Sequence, residues 1–292
     1  MKVAVAKYAV GMPADFEAFA ARQRAMLSEA AHAGARIAVF PEYLALELAA
    51  TFEERIRSDL RASLAELQVF RDAWLALYAD LARETGMFLQ PGTFLVDIGD
   101  GHYRNRAWWF APDGRRGFQD KLQLTAFEKE TGVIEGGDAL HVVDAHGLRL
   151  GISVCYDSEF PLPVRAQRDA GARLLLVPSC TDTEAGARRV EVGCLARALE
   201  NRVFVAQSVT AGLAPWSPAL DVNTGEATLY APMDRGLPAD GIVARTRGHQ
   251  AWAVADLDFD ALEASRAEAQ VANDFDWPGQ LAPGLRQARI ED

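Results

Sequence analysis

Cysteine is scarce in this chain: three in 292 residues, Cys155, Cys180 and Cys194. An odd number without a CxxC pair argues against a disulfide framework and against a compact thiolate zinc site. Histidine is thin as well. The five residues His32, His102, His141, His146 and His249 form no HExxH motif and show no close ligand spacing, so neither a metal nor a cofactor is expected. Basic residues are outnumbered, 30 Lys+Arg against 41 Asp+Glu, for a formal charge of -11. That field repels nucleic acid and anionic membranes alike. No uninterrupted apolar run approaches membrane-spanning length. The opening Met1–Ala6 is too short and too soon interrupted for a signal sequence, and it reads as a first strand. A cytoplasmic protein is therefore expected. Low-complexity linkers, charge blocks and repeats are missing too, which favours one domain over residues 1–292. From about residue 273 the chain reads as a C-terminal tail or oligomer arm.

What is present is an alternation of strands and helices. Lys2–Tyr8 is apolar enough for a buried strand, and Asp15 can cap a helix running to about Ala33. Arg36–Phe40 is the next strand, giving a βαβ start with helices packed over a sheet. Thr51–Leu67 and Val69–Thr85 read as two helices, and Leu89–Ile98 and His102–Ala111 as strands joined by a tight turn at Gly99-Asp100-Gly101. Short strands are expected at Ala139–Val143 and Leu148–Val154, with His146-Gly147 turning between them. After them come a strand at Ala172–Val177, a helix at Ala185–Leu199 and a strand at Val203–Ser208. Later strands fall at Ala227–Ala231, Gly241–Thr246 and Gln250–Asp256, and a last helix at Phe259–Ala269. In the His102–Ala111 strand, a period of two puts Trp108 and Trp109 on opposite faces.

Three residues with chemical potential stand near the ends of expected strands, where an α/β sheet opens onto its ligand crevice. They are Glu42 in Phe40-Pro41-Glu42-Tyr43, Lys121 in Asp120-Lys121-Leu122, and Cys155 in Ser153-Val154-Cys155-Tyr156-Asp157. Singly each has an ordinary explanation as a cap, a surface charge or a small core group. Together they are chemically complete. A sulfur attacks a carbonyl or nitrile carbon as thiolate, a carboxylate can take the thiol proton, and an ammonium can stabilise the thiolate and then the growing oxyanion. The backbone N–H just beyond Cys155, that of Tyr156, is a candidate second oxyanion donor. This set needs neither histidine nor metal.

The same segments resemble the nitrilase superfamily of carbon–nitrogen hydrolases. Phe40-Pro41-Glu42 matches its first glutamate motif, and Asp120-Lys121 with Leu124 its lysine motif. Gly151-Ile152-Ser153-Val154-Cys155-Tyr156-Asp157, followed by Phe160-Pro161, matches its nucleophile motif, and Arg197–Arg202 the helix-to-strand segment after it. The chain departs from many relatives in having Asp120 before the lysine, where they have tyrosine or arginine, and Gln123 two after it, where they have histidine. The resemblance implies an α/β fold: a four-layer α-β-β-α sandwich with two internal mixed sheets, commonly associating as a homodimer or higher homo-oligomer through outer helices near the nucleophile. It implies Glu42 as general base, Lys121 as oxyanion stabiliser and Cys155 as nucleophile. A second glutamate is implied between lysine and cysteine; Phe127-Glu128-Lys129 resembles that element, with Glu130 as competitor.

The activity expected is hydrolysis of a small linear amide to acid and ammonia through a thioester on Cys155. An N-carbamoyl amide hydrolase or a nitrilase is the alternative; an acyltransferase or a non-catalytic binding protein on the same fold is more distant. Tyr43, Thr181 and Asp182 are candidate pocket residues, and Arg188 and Arg189 could meet an anionic substrate. Cys180 could line the pocket, whereas Cys194 reads as core packing. Asp157 is expected to brace the nucleophile turn. Trp216 and Trp277 are candidates for a lid or an oligomer contact.

Overall fold

The opening segment divides its side chains between two cores. Val3 and Val5 belong to one apolar cluster, while Ala4, Ala6 and Tyr8 belong to the other, as period-two alternation requires of a strand buried on both faces. The structure is a computed structural model and describes residues 1–145 and 147–290; His146, expected in a turn, lies outside the described residues. Fifteen strands are present among the described residues. The first half of the chain contributes β1 (Lys2–Ala9), β2 (Ile37–Phe40), β3 (Phe88–Pro91), β4 (Thr93–Gly99), β5 (His102–Phe110), β6 (Arg116–Asp120) and β7 (Ile134–Glu135). The second half adds β8 (Val142–Ala145), β9 (Leu148–Ile152), β10 (Leu174–Ser179), β11 (Phe204–Leu213), β12 (Val222–Asn223), β13 (Thr228–Tyr230), β14 (Ile242–Arg245) and β15 (Trp252–Asp256).

The hydrogen-bonded path runs β4-β5-β3-β2-β1-β11-β10-β9-β8. Its two halves meet where β1 and β11 pair in parallel, Lys7 to Ala9 beside Val209 to Ala211. One core cluster takes Val3, Val5, Val39 and Phe88 from the first half together with Leu150, Leu176 and Val205 from the second. The other lies under the helices α1 (Phe16–His32) and α4 (Arg71–Thr85), where Phe19, Leu27, Trp74 and Tyr78 cover the far face of β1 and β2. Trp108 and Trp109 split between these clusters as alternation demands. Trp109 stacks on Phe88 at 5.7 Å between centroids, and Trp108 meets Phe118 at 5.3 Å.

Several elements differ from expectation. Thr51–Leu67 is not one helix: a 3-10 turn at Leu44–Thr51 is followed by α2 (Glu54–Arg57) and α3 (Leu60–Leu67). Asp59 interrupts it because its carboxylate accepts from the Ala62 N–H and starts α3 as a cap. Likewise, α4 begins only at Arg71, after a 3-10 turn at Gln68–Phe70. The Leu89–Ile98 segment divides into β3 and β4 at Gly92, whose φ of +75° lies in the left-handed region. The short expected strand at Ala139–Val143 forms as β8, shifted toward Ala145, where it pairs with β9. The β11 strand runs on to Leu213, and the helix from Phe259, α8, closes at Ala264.

The helices nearest the nucleophile segment are α5 (Ala126–Thr131), α6 (Pro161–Asp169) and α7 (Glu184–Asn201), and α9 (Asn273–Asp276) packs near α7. Among the described residues no helix is long and apolar enough to cross a membrane.

Candidate active site

Glu42, Lys121 and Cys155 come together in a cavity of about 310 Å³ that they line with Tyr43, Tyr156, Cys180, Thr181 and Asp182. Glu42 follows β2, Lys121 follows β6, and Cys155 follows β9 after two further residues. Each chain segment is held at its turn by specific contacts. Tyr43 adopts φ +61°, and its N–H donates to Thr93 Oγ1 at 2.8 Å. Gly92 is required opposite it, because a Cβ there would stand 2.0 Å from the Pro41 carbonyl oxygen.

Cys155 also has a left-handed backbone, φ +48°, at the start of the 3-10 turn Cys155–Glu159. Such conformations persist in non-glycine residues only where the surroundings over-determine them. Here Ser158 Oγ donates to the Cys155 carbonyl at 2.7 Å, and Asp157 accepts N–H bonds from Val154, Leu122 and Gln123. Asp157 therefore braces the turn and ties it to the lysine segment. Burial pushes its pKa up to about 6 against the pull of those three N–H groups. Behind the turn, Arg197 of α7 donates to the Ser158 carbonyl at 3.2 Å. Gly193 allows that close approach, since a Cβ would meet the same oxygen at 2.9 Å.

Charge-assisted bonds join Lys121 to two carboxylates. Lys121 Nζ stands 2.8 Å from Glu42 Oε1 and 2.7 Å from Glu128 Oε2, all three side chains being almost wholly buried. Glu128, not the exposed Glu130, faces this network, because helix α5 opens with a capping box in which Thr125 and Glu128 exchange bonds. Glu128 also accepts from the Tyr43 hydroxyl at 2.7 Å. The other carboxylate oxygen of Glu42 accepts from the Cys180 N–H at 3.1 Å. The Cys155 thiol bonds the Cys180 carbonyl at 3.6 Å and lies close enough to Glu42 to feel its charge.

The acidities follow from this arrangement. Burial raises the Glu42 pKa; Lys121 pulls it down and Glu128 pushes it up, and the net shift is upward. Glu128 feels the same burial, but Lys121, the Thr125 N–H and the Tyr43 hydroxyl outweigh it and hold its pKa below the ordinary value. Burial opposes the Lys121 charge, yet the two carboxylates more than offset that and keep it protonated. Burial and the Glu42 charge push the Cys155 thiol well up despite Lys121. A buried proton donor thus faces a raised-pKa carboxylate beside a fixed cation, a set suited to nucleophilic attack with coupled proton transfer.

Other expected residues fall less neatly. Cys180 lines the cavity, and Cys194 is fully buried packing. Thr181 lines the cavity with its hydroxyl donated to the Thr224 carbonyl at 2.8 Å, and Asp182 lies exposed beside it. Arg189 reaches the cavity wall but stands 3.5 Å from Glu159. Arg188 does not line it: one turn along the exposed face of α7, it pairs with Glu191 at 2.9 Å. Neither tryptophan forms a lid. Trp216 packs against the helix-covered core, and the Trp277 ring lies 5.0 Å from the Arg165 guanidinium.

Asn105 was not singled out from sequence, although its amide reaches both carboxylates. The signal was present: Tyr103, Asn105 and Ala107 share the buried face of β5, and a polar side chain in such a row needs a partner. The segment containing Pro218, Ala219, Asp221 and Val222 also closes one side of the cavity. It lacks a motif and reaches the site only through tertiary folding. Among the described residues, no group of three or more His, Cys, Asp or Glu side chains is arranged to hold a metal ion.

Residues 2–250 match the carbon–nitrogen hydrolase family. The chain belongs to that family. It is 29% identical over 272 residues to the probable hydrolase YhcX of Bacillus subtilis, covering 93% of this chain and 52% of that protein, so it spans about half of that relative. It is 24% identical to omega-amidase NIT2-B of Xenopus laevis over 254 residues, covering 84% of this chain and 85% of that one. Among solved structures it resembles Nit3 of Saccharomyces cerevisiae, with a TM-score of 0.72 and 20% identity over 93% of this chain and 95% of the other. It also resembles the Nesterenkonia sp. AN1 amidase, solved as a variant bearing acrylamide added at its active-site cysteine. There the TM-score is 0.69 and the identity 22%, over 92% of this chain and 97% of the other. At those identities the structural likeness speaks for the fold.

Proposed function

We propose that this carbon–nitrogen hydrolase cleaves a small linear amide to a carboxylic acid and ammonia through a thioester on Cys155. The observation that carries the reading is the Lys121 ammonium, 2.8 Å from Glu42 and 2.7 Å from Glu128, in the cavity that Cys155 lines. Omega-amidases among the curated relatives support the same class. We read the architecture as a four-layer α-β-β-α sandwich in a single domain, supported by one core shared between the two strand sets and another beneath α1 and α4.

With its pKa raised, the resting sulfur is a thiol, so its proton leaves as the bond to carbon forms. Glu42 takes that proton while the sulfur attacks the amide carbon and the carbonyl electron pair moves onto oxygen. Lys121 and the Tyr156 backbone N–H hold the oxyanion. Collapse of the tetrahedral species breaks the carbon–nitrogen bond, and protonated Glu42 donates to the departing ammonia. Water, deprotonated by Glu42, then attacks the thioester; the carbon–sulfur bond breaks and the thiol regains its proton. Glu128 holds Lys121 in place. No cofactor enters the scheme.

A carbamoyl amino acid would need a free cation for its carboxylate. Arg188 points elsewhere and Arg189 faces Glu159, which favours the simple amide. Self-association through α6 and α7, next to the nucleophile turn, is also part of this reading, supported by exposed Leu162 and Val192 on those helices. The decisive experiment scores ammonia release from a panel of amides, nitriles and carbamoyl compounds. We expect release from amides, its loss in Cys155→Ala, and an unchanged circular dichroism spectrum. Full turnover by a folded Cys155→Ala protein would remove the nucleophile assignment.

A further inference from the structure

Two carboxylates and one ammonium in a closed space can pair in more than one way, so something must fix which oxygen of Glu42 is turned to the sulfur. We propose that Asn105 is a positioning residue whose amide NH2 group bridges Glu42 and Glu128 and thereby presents the free edge of Glu42 to Cys155. Asn105 Nδ2 donates to Glu42 Oε1 at 2.8 Å and to Glu128 Oε1 at 3.1 Å. With two hydrogens on one nitrogen, each bond takes one.

The consequence for Glu42 is a division of labour between its oxygens. Oε1 is occupied by Asn105 and Lys121. Among the described residues Oε2 accepts only the Cys180 N–H, at 3.1 Å, leaving a lone pair on the carboxylate for the neighbouring thiol. The amide itself is held by the sheet, since the Asn105 carbonyl accepts the Lys121 N–H at 2.9 Å and the residue is wholly buried on the inner face of β5.

A second observation points the same way. The Asn105 Oδ1 atom is buried and has no hydrogen-bond partner among the described residues. Turning the amide over would set that oxygen against two carboxylates, so the charges dictate the orientation even though an acceptor is left unsatisfied. An apolar residue would fill the position without that cost. An asparagine retained there is explained by its donors. The charged and titratable groups around the bridge are Glu42 and Tyr43 after β2, Lys121 after β6, Glu128 on α5, Cys155 after β9 and Cys180 after β10. Donors stabilise the ionised carboxylate, so removing them raises the pH at which Glu42 becomes able to accept a proton.

The inference rests on Glu42 acting as the base for Cys155 but not on the identity of the amide. Its test is therefore alkylation of Cys155 by iodoacetamide, followed across pH, with the modified cysteine located by peptide mass. In Asn105→Leu the rate should fall about tenfold or more near neutral pH, and its acid limb should move to higher pH. Asn105→Ser, which keeps one donor and serves also if the leucine variant does not fold, should show a smaller shift in the same direction. A slower reaction with an unmoved acid limb, in protein of unchanged melting temperature, would reduce Asn105 to packing and overturn the proposal, as would a wild-type profile in both variants. If the limb moves as expected while no amide is hydrolysed, the amidase reading fails and the role of Asn105 stands.

Discussion

Glu42 and Glu128 lean on the same ammonium, yet their acidities shift in opposite directions, and the donors around each explain why. Glu128 accepts from Lys121, Asn105, Tyr43 and both donors of Thr125, whereas Glu42 has Lys121, Asn105 and the Cys180 N–H. The richer shell keeps Glu128 ionised, and the poorer one leaves Glu42 poised to take a proton. Because the Glu128 charge raises the Glu42 pKa, neutralising it should lower that pKa. Activity that requires ionised Glu42 is lost as pH falls through its pKa, so the acid limb of kcat/KM in Glu128→Gln should move to lower pH. A limb that moves upward would contradict the assignment of Glu42 as base. Lys121→Met is a harsher change, since it leaves two buried carboxylates uncompensated. We expect a loss of about 3–5 kcal/mol in denaturant unfolding and a fall in kcat of at least about 10²-fold. Near-native stability would mean that the pair of glutamates shares a proton rather than the ammonium.

Turns between elements, more than the elements themselves, aim these side chains. Glu42 and Cys155 were legible in the sequence because each follows an apolar run that reads as a buried strand, whereas Lys121 follows the polar Arg116–Asp120 and was legible only through its motif and because sulfur, carboxylate and ammonium make sense as a set. Trp108 and Trp109 were legible for a similar reason, since alternation fixes their faces once β5 is recognised. What could not be read locally depends on contacts across the fold. Asn105 takes its meaning from carboxylates 63 and 23 positions away, and of the adjacent Arg188 and Arg189 it is the helix's rotation that brings Arg189 to the cavity wall. The division of β3 from β4 was likewise hidden, because Gly92 is forced by the Pro41 carbonyl, itself 51 positions earlier in the chain. Gly92→Ala should therefore destabilise the protein by about 2–4 kcal/mol, read by thermal or denaturant unfolding. It should also slow Cys155 alkylation, because relief of the clash displaces the Pro41–Tyr43 turn and Glu42 with it. A stable Gly92→Ala protein with normal alkylation would show that the turn yields without moving the base.

At the scale of the whole molecule, the C-terminal arm closes over the side of the fold that supports the nucleophile. Asp274 on α9 is buried between Arg266 at 2.8 Å and Arg168 of α6 at 2.5 Å. Its backbone carbonyl accepts from Arg165 at 3.1 Å, and Trp277 lies over that same guanidinium. Helix α6 begins two residues after the Cys155–Glu159 turn, so the arm and the nucleophile segment share one support. Burial opposes the Asp274 charge, but the two arginines prevail and hold its pKa below the ordinary carboxylate value. For a lowered pKa, the stabilisation is in place above the unfolded value near 4. It drains away as pH falls through the lower folded one. The arm should stay docked throughout the neutral range and loosen only in strong acid. Asp274→Ala should release it at neutral pH, leaving Arg168 and Arg266 without their shared partner. Limited proteolysis is then expected to cut residues 270–290 several-fold faster than in the wild type, while the main melting transition shifts little, because both apolar cores lie elsewhere. Equal cutting rates would show that Trp277 and the Arg165 contact hold the arm without the Asp274 clamp. A large drop of the main transition would instead make the arm an integral part of the core.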